Sequence, residues 1–127
     1  MPTYKSSVSI EQTPEAVFDF VSDVRTLPRY YDGISSVEPL EGGVVRVTSM
    51  SEGRPVVREG WFRVHEGHRR RVEWGTEDER GYGGFLEVDP EGEVCSVTIE
   101  IHGPDSGSVD EQIDRTLYAL KAEVEHL

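Results

Sequence analysis

The sequence predicts an α+β fold: an antiparallel meander of strands closed by one long amphipathic helix. Three observations predict it. Glycine-rich turn signals recur at short intervals, as "EGG" at 41–43, "EGRP" at 52–55, "HEGH" at 65–68, "ERGYGG" at 79–84 and "DPEG" at 89–92. Short runs of alternating apolar and polar residues lie between them, the pattern of strands joined by hairpins. The last twenty residues, "SVDEQIDRTLYALKAEVEHL", switch to helical spacing, with Val109, Ile113, Leu117, Leu120 and Val124 on one stripe.

Taken in order, residues 3–10 read as a first strand with Val8 and Ile10 on one face. A helix start follows in "TPEAVFDFVSD". Thr13 suits the N-cap, because its hydroxyl accepts an otherwise unpaired backbone N–H, and Pro14 suits the first helical position. Val17, Phe18 and Val21 then share a stripe. Asp23 ends this helix or begins a second short one at 25–31. Strands are expected at 34–40, 43–51, 56–66, 69–79, 82–89 and 93–103.

Neighbouring side chains in a strand point to opposite faces, so alternation assigns an inside. Val45 and Val47 look inward while Arg46 and Thr48 look outward. Val56, Arg58, Gly60, Phe62 and Val64 share one face; Glu59, Trp61, Arg63 and His65 share the other. Val72 and Trp74 oppose Arg71 and Glu73. Cys95, Val97, Ile99 and Ile101 alternate with Ser96, Thr98, Glu100 and His102. In the closing helix Ser108 is a candidate cap, and Asp110 and Glu111 suit the positive end of the helix dipole.

Composition narrows the function classes. The chain has 127 residues, the size of one domain, and a net charge of −12. That charge repels phosphate backbones and anionic headgroups, so neither nucleic acid nor stable membrane association is expected. The basic run "HRRR" at 68–71 is short and followed by acids, and reads as a solvated turn and strand start rather than a nucleic-acid patch. The first ten residues lack a basic stretch followed by an apolar one, so no signal peptide is expected. One cysteine, Cys95, suits a reducing compartment, and a cytoplasmic protein is expected. The four histidines are dispersed and the cysteine has no partner at ligand spacing, so no metal or cofactor is expected. No G-x-S-x-G elbow is present, and "GYGG" lacks the lysine of a phosphate loop.

Four stretches carry a resemblance: "SVSIEQTPEAVFDFVSDVRTLPRYYDGI", "GWFRVHE", "VEWGTE" and "LYALKAEVE". In their order and spacing the chain resembles the START-like (SRPBCC) helix-grip superfamily, whose relatives include polyketide cyclases and dehydrases, coenzyme Q-binding proteins and plant allergens. The resemblance spans essentially residues 1–127, as one START-like domain. It implies a seven-stranded antiparallel sheet curved around the C-terminal helix, two short helices after the first strand, and a cavity for a lipophilic or aromatic ligand between sheet and helix.

On that reading the candidate ligand-binding residues are Tyr30, Tyr31, Arg58, Phe62, Trp74, Tyr82, Ile99 and Leu117. Adjacent helical residues diverge by about 100°, so Tyr30 and Tyr31 are not expected to enter one pocket together. Arg58 shares the inward face and cannot shed its charge, so it needs a carboxylate, carbonyls or an anionic ligand. Alternatively it reaches solvent at the sheet edge. A bulge beside Gly60 would turn Glu59 and Trp61 inward instead. Tyr82 lines the pocket with Trp74, or both are ordinary core. Three functions follow: a small-ligand binding protein, a cyclase- or dehydratase-like enzyme with no nameable base, and an interaction module using Trp61 and Phe85 on the outer face. The ligand and the oligomeric state are left open.

Overall fold

A computed structural model describes residues 3–31, 34–66, 70–76, 83–102 and 109–126. Strand β1 (Thr3–Ile10) leads into helix α1 (Pro14–Ser22), a 3₁₀ turn (Val24–Thr26) and helix α2 (Leu27–Tyr30). Strands β2 (Ile34–Pro39), β3 (Val44–Ser51), β4 (Arg54–His65), β5 (Arg70–Thr76), β6 (Gly83–Glu91) and β7 (Val94–His102) follow, and helix α3 (Val109–Glu125) closes the described chain. The strands form one antiparallel sheet in the order β1-β7-β6-β5-β4-β3-β2. This is the helix-grip fold.

Local chemistry sets the element ends. The Thr13 hydroxyl accepts from the Ala16 amide at 3.1 Å, and Pro14 occupies the first turn. Asp23 does both things its position allowed. Its amide donates back to the Phe20 carbonyl, closing α1, and its carboxylate accepts from the Arg25 amide at 3.0 Å, opening the next turn. The expected helix at 25–31 is thus split, a 3₁₀ turn running into the single turn of α2. The β3–β4 hairpin turns on Glu52 and Gly53, both at positive φ (53° and 77°), the handedness that matches strand twist.

Register defines two faces. The inner face carries the row Phe62, Trp74, Gly84, Ile101, Tyr4 and the row Val64, Val72, Leu86, Ile99, Ser6. The helices pack unevenly on it. Helix α3 lies on β1 and β7, and α1 covers β5 and β6. Ile113, Leu117, Leu120 and Val124 of α3 join Ile10, Val97, Ile99 and Ile101 in a closed core, where each is at most 2 % exposed. Burying four such side chains at roughly 1.5–3 kcal/mol each is what fixes α3 to the sheet. Polar ties at its edges set the register: the Ser6 hydroxyl donates to Asp114 at 2.9 Å, the Glu11 amide to Glu125 at 2.9 Å, and Lys121 to the Ser9 carbonyl at 2.7 Å. The β3–β4 half of the sheet is left for other neighbours. No helix among the described residues is long and apolar enough to cross a membrane.

Candidate functional site

A cavity of about 340 Å³ lies over that remaining half of the inner face. Val45 and Val47 of β3, Phe62 of β4 and Trp74 of β5 form its sheet wall. Leu27 and Tyr31, with Ile34 at the start of β2, close one side, and Gln112 in the first turns of α3 reaches it from above. Arg58, Glu59, Ser49 and Met50 border it toward the β3–β4 hairpin. The walls are mostly apolar, and Arg58 and Glu59 are the charged residues among those described.

The two tyrosines of "LPRYYDGI" part company. Tyr30 is buried in the core against Phe20, with ring centroids 5.9 Å apart, and is not a wall of the cavity. Burial pushes its phenol above the ordinary value of 10.0. Tyr31, the residue that ends α2, turns to the cavity and meets Trp74 edge-on, with centroids 6.0 Å apart and planes at 90°.

Of the other candidates, Arg58, Phe62 and Trp74 stand together with Tyr31 around the cavity. Ile99 and Leu117 do not. They belong to the closed core where α3 lies on β7 and β1, because the helix covers that half of the sheet and leaves the other half open. Tyr82 lies outside the described residues. Leu27, Ile34 and Gln112 were missed. Gln112 carried a signal: with Thr116, 1 % exposed, it makes a polar pair at i, i+4 beside the apolar stripe of α3.

Arg58 sits on the inner face opposite Val47, and the β3–β4 and β4–β5 pairings run without a shift past Gly60. Glu59 and Trp61 therefore alternate outward along the strand, and both still border the cavity. Arg58 itself is exposed, so its guanidinium meets solvent at the border of the cavity. On the outer face the Trp61 ring lies over Gly75, where a Cβ would come within 2.7 Å of Trp61 Cζ2. The Arg63 guanidinium stands 5.0 Å from the Trp61 ring, and Arg71 stands 4.0 Å from Phe85 while donating to Glu87 at 2.8 Å. Both aromatics are thus roofed by cations, a geometry worth about 0.5–1 kcal/mol each at exposed sites.

One polar atom stands out. Trp74 Nε1 is buried and has no hydrogen-bond acceptor among the described residues. Cys95 is buried, and desolvation, with Glu91 adding to it, pushes its thiol up, which makes it a poor nucleophile. No group of His, Cys, Asp and Glu that could hold a metal ion occurs among the described residues.

Known proteins share this architecture. No curated protein matches the chain. A di-domain aromatase/cyclase, BexL from the BE-7585A biosynthetic pathway, is 20% identical with a TM-score of 0.80, over 98% of this chain and 47% of that one. The Zhui aromatase/cyclase from Streptomyces sp. R1128 is 15% identical with a TM-score of 0.78, over 98% of this chain and 94% of that one. A START superfamily protein from Mycobacterium smegmatis is 13% identical with a TM-score of 0.75, over 98% and 97%. At these identities the likeness is one of fold. The family model described as "Polyketide cyclase / dehydrase and lipid transport" matches residues 1–125. The chain belongs to that polyketide cyclase/dehydrase and lipid transport family.

Proposed function

We propose that residues 1–127 form one START-like domain that binds a single small apolar or aromatic molecule in the cavity over β3–β5. The observation that carries this is the cavity itself: about 340 Å³, walled by Val45, Val47, Phe62, Trp74, Tyr31 and Leu27. That volume is at the lower end of ordinary ligand sites, the scale of a bicyclic or tricyclic ring system. Apolar walls supply affinity by removing ligand surface from water. Tyr31 and Trp74, already edge-on, offer ring faces and edges for an aromatic guest. The buried thiol of Cys95 suits a reducing, cytoplasmic setting.

The test uses an uncharged fluorescent probe, N-phenyl-1-naphthylamine, which the net charge does not repel. The wild-type protein is expected to bind it saturably at one site. Val47→Trp, which fills the cavity from the β3 wall, is expected to abolish that binding with the fold retained by circular dichroism. Equal binding by the folded variant would refute the assignment.

A second reading is catalysis in the same cavity, of the cyclase or dehydratase kind. Arg58 favours it: a guanidinium at the border of an apolar cavity can hold an enolate or phenolate oxygen that gains charge during reaction. Glu59 is the only carboxylate among the described cavity residues, and its strand position turns it away from the inner face. A base is thus less well provided than an anion partner, which ranks binding first. Under the catalytic reading Arg58→Ala lowers turnover with stability nearly unchanged. Under the binding reading no product forms.

A further inference from the structure

We infer that Trp74 is the specificity-determining residue of this cavity and that it selects ligands carrying an oxygen acceptor over hydrocarbons of the same shape. The inference rests on the cavity being a ligand site. Its ground is the orphaned indole donor. Buried N–H groups nearly always have a partner, and one without a partner needs a reason. Trp74 Nε1 is closed off from solvent and has no acceptor among the described residues, on a ring that forms part of the cavity wall.

The surroundings explain why the protein does not satisfy it. Along the inner face the register flanks Trp74 with Phe62 on β4 and Gly84 on β6, neither of which has a side-chain acceptor. Tyr31 meets the ring edge-on. The sheet therefore places a hydrogen-bond donor in an apolar wall and leaves its acceptor to be supplied. A carbonyl or phenolic oxygen entering the cavity reaches Nε1 once the indole turns about its outer torsion or its neighbour Tyr31 shifts. That torsion is soft, because rotation about an sp³–sp² bond has broad wells. A hydrocarbon guest makes the same apolar contacts and leaves the donor unpaired. Because Nε1 has no acceptor among the described residues, a ligand's acceptor gains a hydrogen bond without breaking one, whereas a site built this way discriminates poorly between two hydrocarbons.

The experiment compares 1-tetralone with tetralin, a pair that differs by one carbonyl in place of a methylene, by calorimetric titration of wild type and Trp74→Phe. Wild type is expected to favour tetralone by roughly tenfold. Trp74→Phe is expected to keep the tetralin affinity and lose the preference. A second readout is independent of that variant's folding. Trp61→Phe assigns the two indole ¹H–¹⁵N signals, and in the wild type tetralone is expected to move the Trp74 signal downfield while tetralin does not. If wild type binds both probes equally, or the preference survives in Trp74→Phe, the role assigned to Trp74 is overturned while the cavity stands as a ligand site. If the folded wild type binds neither probe, the ligand-site reading falls and this inference with it.

Discussion

Tyr30 and Tyr31 are neighbours in the chain, yet one is core and the other is cavity wall. The sequence allowed this divergence, because a helical step turns the side chain by about 100°. It did not say which would go where, since that depends on α2 stopping at Tyr30 and Tyr31 leaving the helix. The burial of Tyr30 has a measurable consequence. A phenol held neutral in the fold and free to ionise when unfolded adds no pH dependence below pH 10, the ordinary value. Above it the unfolded chain sheds the proton first, so stability falls as pH rises, by up to about 1.4 kcal/mol per pH unit. Cys95 is shifted in the same direction, so the decline begins nearer its ordinary 9.0. Chemical denaturation of wild type and Tyr30→Phe from pH 8 to 11 is expected to show a shallower alkaline decline in the variant.

Gly75 shows a second residue-scale effect that alternation alone did not predict. It sits opposite Trp61 on the outer face, and a methyl there would strike the indole at 2.7 Å. Gly75→Ala is expected to cost about 1–3 kcal/mol in denaturant unfolding, because the ring must leave its place under Arg63. Trp61→Ala in the same protein should relieve most of that clash. A double-mutant cycle reads the coupling.

At the scale of elements the sequence was most legible where the period was cleanest. The alternation of β7 set Cys95, Val97, Ile99 and Ile101 inward, and all four are buried. The helical stripe of α3 named Ile113, Leu117, Leu120 and Val124, and they are buried too. Leu120→Ala is expected to cost about 2–5 kcal/mol by denaturant unfolding, since the two-sided packing of α3 on β1 and β7 leaves little room to collapse. Breaking the Arg29–Glu123 pair that ties α2 to α3 at 2.7 Å is expected to cost at most about 1 kcal/mol, because both partners are partly exposed. What could not be read was where α3 would lie across the sheet. A stripe says that a helix has a buried face; it does not say which strands cover it. Ile99 and Leu117 were therefore expected around a ligand and are instead packed against the helix and sheet, while Val45, Leu27 and Ile34 took the cavity.

At the scale of the whole molecule, the fold follows from the order of elements, one strand, two short helices, six strands and a long helix, and the family from the match over residues 1–125. The cavity exists because α3 and α1 pack on β1, β7, β6 and β5, while over the β3–β4 half of the inner face Leu27 of α2 and Gln112 of α3 reach only its borders among the described residues. Its volume is a remainder of packing, which is why no motif announced it. The orphaned indole of Trp74 is likewise a product of three dimensions: only pairing with β4 and β6 decides what stands beside it.

The most direct test of the account is to locate a bound ligand by NMR. Isotope-labelled protein would be titrated with 1-tetralone and intermolecular NOEs collected. The account predicts NOEs to Tyr31, Phe62, Trp74 and Val47, with none to Tyr30 or Leu117. NOEs instead to Ser6, Asp114 and Tyr118, which border a smaller recess between β1 and α3, would contradict it. So would saturating ligand that leaves the β3–β5 cavity unperturbed.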